Sequence, residues 1–186
     1  MNPVTNPKYR NITVSGKYAA GTTTLAKNLS AALKWKHVNV GELQRRYDRE
    51  HGRNENRQGA LDRPDDHERE MDEMTKKMLA EENNLIYEAW LAGFMSKDIP
   101  GILKILVICS DEAVLIDRVV NRDGVSVEEA KQNIKQREEE NEVKWKKLYG
   151  DYNFWDPKYY DLVIDTYSSG QMETLGKVLD RLNSKK

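Results

Sequence analysis

The stretch ITVSGKYAAGTTTL, residues 12–25, joins a β-branched run to a glycine-bounded turn and a threonine-rich helix start. Gly16 ends the apolar run, Gly21 follows five residues later, and Thr22, Thr23 and Thr24 come next. This is the G-x-x-x-x-G-K-[ST] spacing of a phosphate-binding loop with one change. Thr22 stands in the lysine position, and a lysine occurs earlier, as Lys17. A strand that runs into such a turn and then a helix aims several backbone N–H groups at one point, and the helix dipole adds roughly half a positive charge. Phosphate oxygens fill such a nest without any side chain. The spacing therefore points to a nucleoside triphosphate held by Gly16, Lys17, Tyr18, Ala19, Ala20, Gly21, Thr22, Thr23 and Thr24. Thr23 occupies the position whose hydroxyl ordinarily ligates Mg2+. Thr22 offers one hydrogen bond but no charge. Lys17 is the candidate to supply that charge, the alternative being a solvated loop lysine.

Composition sets the frame. A chain of 186 residues is most simply one domain with a real core. A formal net charge of −1 argues against a general attraction to nucleic acid or to an anionic membrane. One cysteine, Cys109, excludes an internal disulfide framework and a cysteine-based zinc cluster; its apolar surroundings place it in the core. The N-terminal MNPVTNPKYR lacks an apolar signal core, and no apolar run is long enough to cross a bilayer, so a soluble cytoplasmic protein is expected, a monomer or weak dimer. His37, His51 and His67 lack metal-ligand spacing, which leaves them structural or surface roles.

Short apolar runs alternate with longer helical stretches. Strands are expected at Asn11–Ser15, His37–Val40, Leu85–Glu88, Lys104–Cys109 and Leu162–Asp165. Leu85–Tyr87 and Leu103–Ile108 are nearly continuous in apolar residues, which suits strands of a parallel sheet buried on both faces. Helices are expected at Thr23–Lys34, Gly41–Arg49, His67–Glu82, Glu112–Arg122, Val127–Tyr149 and Gln171–Asn183. Met71, Met74 and Met78 form a packing stripe in the third of these. The alternation predicts an α/β doubly wound fold with about five parallel strands and helices on both faces. GRNENRQGALDRPDD, residues 52–66, has almost no apolar anchor and reads as a mobile excursion. The helix at Val127 opens with a capping box, Ser126 with Glu129, and carries Glu140–Lys144 and Glu142–Lys146 at i,i+4 spacing. Its thin apolar stripe predicts a solvated helix belonging to a flap. The aromatic group Trp145, Tyr149, Tyr152, Phe154 and Trp155 is expected to pin that flap to the core.

Taken in order, SGKYAAGTTTLAKNLS, HVNVGELQRRYDREHG, LIYEAWLAGFM, DRVVNRDGVSVEEA, KQREEENEVKWKKLYG and YDLVIDT resemble the nucleoside monophosphate kinases, most of all the archaeal-type cytidylate kinases. The resemblance runs from about Ile12 to Thr166 and implies a P-loop three-layer sandwich with a helical lid. It implies one kinase domain over residues 1–186, with an acceptor-binding excursion at 52–82 and a lid at 118–158. It also implies that GTTT is a trait of that branch and no lesion. ATP and Mg2+ would sit on the loop, a monophosphate opposite, and the phosphoryl group would pass in line, so that catalysis is mostly positioning and charge neutralisation.

Residue by residue, the resemblance makes Arg45, in Gly41–Arg45, the grip on the acceptor phosphate, with Arg46 turned about 100° away. Glu88 resembles the family's Mg2+-associated acid, the alternative being a strand-end glutamate facing solvent. Arg118 and Arg122, four apart, and Arg137 suit a transferring phosphoryl group, against the alternative of solvated helix charges. Asp161 and Thr166 bracket the last strand, where the family's loop touches the ATP base. One departure lies across the cleft: the family reads Glu-Gly-Arg where this chain has Glu88-Ala89-Trp90. Trp90 cannot hold a phosphate; it either stacks on a base or forms core and pocket wall. The lost arginine corresponds to about 1.5–3 kcal/mol of charge-assisted bonding. The leading expectation is phosphoryl transfer from ATP to CMP or dCMP, followed by a nucleotide-binding regulator with little turnover, or a P-loop kinase for another small acceptor.

Overall fold

A computed structural model describes residues 8–184; residues 1–7, which hold most of the N-terminal stretch without an apolar signal core, lie outside it. The elements run β1 (Asn11–Gly16), α1 (Thr22–Leu33), β2 (Lys36–Asn39), α2 (Val40–Glu50), α3 (Asp65–Glu81), β3 (Leu85–Glu88), α4 (Ala92–Met95), β4 (Ile102–Ile108), α5 (Glu112–Asp123), α6 (Val127–Tyr149), a 3-10 turn (Pro157–Tyr159), β5 (Leu162–Asp165) and α7 (Gln171–Asn183). The strands form one parallel sheet in the order β2-β3-β1-β4-β5. Among the described residues no helix is long and apolar enough to cross a membrane.

Every residue of β1 is buried, as expected of a central parallel strand. Ile12 and Val14 turn to the face covered by α1 and α7, where they meet Leu25, Leu29, Val178 and Leu182. On the other face Leu85 and Tyr87 pack with Leu79, Ala92 and Val40. The two-sided core holds the C-terminal strand ends, and the loop after β1, in fixed register: Val14 lies beside Glu88, and Gly16 beside Val107.

Caps explain several boundaries. Asn39 ends β2 and accepts from Glu42 N at 2.9 Å, so the helix starts at Val40, which the sequence had suggested for the strand. Asp111 caps α5 by accepting from Val114 N at 3.0 Å, and left-handed Gly124 ends it. Ser126 accepts from Glu129 N at 3.1 Å to start α6. Cys109 falls just past β4 and is half-buried rather than in the core. Neither α4 nor the 3-10 turn has enough length to show as a period.

The segment 52–66 is anchored, by charge in place of apolar surface. Arg63 is buried and donates to Asp48 at 2.6 and 3.0 Å and to Glu68 at 3.3 Å. Arg53 joins Asp48 at 2.9 Å. Nor is α6 a solvated rod: Ala130, Asn133, Arg137, Asn141, Lys144 and Trp145 are all buried along one stripe. Asn141 Oδ1 accepts from Ala60 N at 2.7 Å, and Glu140 accepts from Gly59 N at 2.6 Å. Lys144 pairs with Asp65 at 2.5 Å, so the expected Glu140–Lys144 pair does not form, whereas Glu142–Lys146 does at 3.0 Å. The aromatic group packs as expected, with Phe154 fully buried between Phe94, Trp145 and Tyr149.

Candidate active site

The loop between β1 and α1 opens on a cleft of about 760 Å3, within the usual size of a small-molecule site. Gly16 is required sterically: a Cβ there would lie 2.5 Å from Val107 O and 2.8 Å from the Thr22 side chain. Gly21 has φ +103°, a left-handed conformation that suits glycine. It caps α1 without a side-chain acceptor, so the first-turn amides remain available to an anion. Ala19 is also left-handed, at φ +59°. Its carbonyl is held by Arg118 Nη1 at 3.1 Å.

At the floor of the cleft Glu88, 5% exposed, gathers three partners. Its Oε1 accepts from Thr23 Oγ1 at 2.5 Å and from Thr22 Oγ1 at 3.1 Å; its Oε2 lies 2.9 Å from His37 Nε2. The solvent-facing alternative for Glu88 is thus excluded. The sequence leaves His37 a structural or surface role; its place in β2, the strand paired with β3, brings it here. Glu88 and Thr23 put two hard oxygen donors together, which fits a Mg2+ ion that takes most of its ligands from phosphates and water. Among the described residues there is no cluster of three or more acidic, histidine or cysteine ligands that would make a self-sufficient metal cage.

Four arginines line the cleft, in different states. Arg118 is tied to the loop and to the turn after β5, donating to Thr166 Oγ1 at 2.9 Å and Thr166 O at 3.1 Å. Arg122 is paired with Asp123 at 2.6 Å. Arg45 is paired with Glu42 at 2.8 Å. Arg137 differs: it is 5% exposed, forms no ion pair among the described residues, and its Nε has no hydrogen-bond partner. Its Nη1 donates to Glu55 O, and its guanidinium lies 5.0 Å from the Tyr18 ring centroid. Burial pushes the Arg137 guanidinium down to about 10, the nearby cations Arg63 and Arg45 acting in the same direction. A buried cation without a counter-charge is costly, and an anion beside it would offset that cost.

Lys17 lies at the rim. Its ammonium contacts Glu138 at 3.2 Å and sits 4.7 Å over the Trp155 ring, engaged with α6. Thr166 lines the cleft, but Asp161 does not: it accepts from Lys104 N at 2.9 Å, at the opposite end of β5. Of the two residues that bracket β5, only Thr166 is at the cleft.

A second, smaller cavity of about 70 Å3 adjoins the first and shares Gly41, Ala89, Trp90 and Arg137 with it. Trp90 stands as a wall between them, edge-on to Trp145 at 5.7 Å and Trp155 at 6.4 Å. Gln44, Arg63, Glu68, Asp72 and Thr75 line its far side. None was singled out in the sequence. The available signal was the i, i+4, i+7 recurrence of Glu68, Asp72 and Thr75 on the face of α3 that also carries buried Leu79. Burial raises the Asp72 carboxyl to about 6, against the Tyr149 hydroxyl that donates to it.

Comparison with known proteins adds the family. The Cytidylate kinase-like family model matches residues 11–168. The cytidylate kinase of Pyrococcus abyssi is 40% identical over 159 residues, covering 83% of each chain. That of Methanosarcina acetivorans is 32% identical, over 88% of this chain and 91% of its own. Among solved structures, an uncharacterized protein from Eubacterium ventriosum superposes with a TM-score of 0.73 at 16% identity, over 95% of this chain and 99% of its own. A gluconokinase from Sinorhizobium meliloti gives 0.58 at 13% identity over 94% and 92%. A shikimate kinase from Acinetobacter baumannii gives 0.54 at 14% identity over 94% and 93%; these likenesses concern the fold.

Proposed function

The chain belongs to the cytidylate kinase-like family and is a nucleoside monophosphate kinase, and from that premise we propose that it transfers the outer phosphoryl group of ATP to CMP or dCMP. The observation that carries the reading is Arg137, a buried guanidinium without an ion pair among the described residues, at the junction of the two cavities. Phosphates there satisfy it from both sides, the donor's from the loop and the acceptor's from the smaller cavity.

In this reading the loop amides and Thr22 hold the ATP phosphates, and Arg118, Thr166 and the start of α7 flank the nucleoside. Thr23 and Glu88 would hold Mg2+, which when bound neutralises phosphate charge. Arg45 exchanges Glu42 for the acceptor phosphate, and Lys17 exchanges Glu138 for the outer phosphates of ATP. An acceptor phosphate oxygen attacks the γ-phosphorus while the bond to the β–γ bridging oxygen breaks, giving the nucleoside diphosphate and ADP. Arg122 and Arg137 offset the charge that spreads over the moving group. The excursion 52–82 and the lid 118–158, tied together through α6, exclude the water that would otherwise take the phosphoryl group.

The smaller cavity suits an aminopyrimidine once it opens to admit one. Glu68 and Asp72 are acceptors for an exocyclic amino group, and Arg63 and Gln44 are donors for a ring carbonyl. Trp90 supplies a flat wall, and its lack of charge leaves the acceptor phosphate to Arg45 and Arg137. Coupled detection of ADP with Mg-ATP and a panel of nucleoside monophosphates tests the reading. Acceptor-dependent ADP is expected with CMP and dCMP ahead of UMP, AMP and GMP. Its absence with every monophosphate would defeat the proposal, and preference for another acceptor would defeat the assignment of the base.

A further inference from the structure

Tyr18 lies in the loop between its two glycines, where phosphate binding itself asks for backbone amides and no side chain. Yet its side chain is 6% exposed and reaches three other segments. The Arg122 guanidinium stands 4.6 Å and the Arg137 guanidinium 5.0 Å from its ring centroid. Its hydroxyl accepts from Arg122 Nη2 and directs its own proton toward Asp123 Oδ2 at 3.2 Å and Asn56 O at 3.3 Å. Ile116, Val119 and Ala130 pack around the ring. The loop, the end of α5, α6 and the segment after α2 thus meet on one residue.

An aliphatic side chain would fill this space equally well but would not attract two cations. An aromatic face holds a guanidinium without neutralising it, whereas a carboxylate in the same place would fix the arginine and also cancel its charge. We infer that Tyr18 is a positioning residue: its ring sets Arg137 and Arg122 over the phosphate site with the Arg137 charge left free, and its hydroxyl registers the acceptor-side segment against the loop. The inference rests on the phosphotransferase reading for its kinetic consequence, but not for its structural one.

Two variants separate the ring from the hydroxyl. Tyr18→Met keeps bulk and flexibility for the packing with Ile116, Val119 and Ala130 while removing the aromatic face. Tyr18→Phe keeps the face. With ATP and CMP as substrates, Tyr18→Met should lower kcat by roughly 10- to 100-fold, the cost of a misplaced group. It should leave KM for ATP within about threefold, and Tyr18→Phe should restore most of kcat. Amide hydrogen exchange of the unliganded protein gives a readout independent of turnover. Tyr18→Met should speed exchange at residues 54–57 and 121–137 while leaving β4 and α7 as in the wild type; Tyr18→Phe should speed it only at 54–57. A wild-type kcat in Tyr18→Met, or a Tyr18→Phe as slow as Tyr18→Met, would overturn the inference. Should the wild-type protein show no transfer, the kinase reading falls, and the exchange experiment alone decides: unchanged protection in Tyr18→Met overturns the role of Tyr18. Should Tyr18→Met fail to fold, Tyr18→Phe remains decisive: unaltered exchange at 54–57, or loss of kcat despite the retained ring, overturns it.

Discussion

The Arg137 guanidinium rests 5.0 Å from the Tyr18 ring centroid, so a cation carried by α6 sits on the phosphate loop itself, with no carboxylate paired to it among the described residues. A charge held this way costs the free protein stability and repays it only when an anion binds. Arg137→Met should therefore leave the unliganded protein as stable as the wild type or more so, by about 1 kcal/mol. The same change should lower kcat/KM by roughly 10- to 100-fold, the worth of one charge-assisted bond. Thermal melts with and without inorganic pyrophosphate check it: the stabilisation by pyrophosphate should shrink in the variant while the ligand-free melting temperature does not fall.

Glu88 is buried between two threonine hydroxyls and an imidazole. Glutamine preserves the shape and an acceptor for Thr23 but gives up the charge. Glu88→Gln should lower kcat by roughly 10- to 100-fold and raise the Mg2+ concentration needed for half-maximal rate. The fold should tolerate it, since no charge is left uncompensated. A Mg2+ titration of initial rates, read beside the melting temperature, separates the two effects.

Asp72 gives a pH dependence. Burial raises its carboxyl from 3.8 to about 6, so between those values the folded protein binds the proton that the unfolded chain releases. Stability from this residue is therefore present at low pH and lost as pH rises through about 4 to 6. Asp72→Asn, which keeps an acceptor for the Tyr149 hydroxyl, should be nearly neutral at pH 4 and stabilising by about 1–3 kcal/mol at pH 7. Denaturant unfolding at the two pH values measures this. If Asp72 accepts from the base, the same variant should lose preference for CMP over UMP.

On the proposed reading Lys17 and Thr22 would share the task of one lysine. Lys17→Ala should lower kcat/KM for ATP by roughly tenfold, and Glu138→Gln, which frees the ammonium, should leave it at or above the wild-type value. Thr22→Lys in the Lys17→Ala background should recover only part of the loss, because Glu88 Oε1 lies 3.1 Å from the Thr22 hydroxyl and would capture the new ammonium. Steady-state kinetics of the three proteins decide between a working Lys17 and a bystander.

The sheet was legible because β3 and β4 are nearly continuous in apolar residues and the loop after β1 has fixed spacing. The boundary at Asn39 was not, since Val40 suits a strand until the cap is seen. The largest misreading concerned burial by polar residues. Arg137, Asn141 and Lys144 recur on α6 with the period of a packed face, but their partners are backbone and carboxylate groups of residues 55–65. Hydrophobic periodicity cannot register such a stripe, so α6 read as solvated and residues 52–66 as unanchored. His37 and the lining of the smaller cavity were hidden for a related reason: their meaning depends on which strand or helix faces them, and the sequence does not order those elements in space.

Transfer differs from binding and from hydrolysis in its products. Purified protein with Mg-ATP and CMP should yield CDP and ADP in a one-to-one ratio, resolved by anion-exchange chromatography, with little ADP when CMP is omitted. ADP without CDP, or neither product at micromolar protein, would show that the protein does not transfer phosphate to CMP.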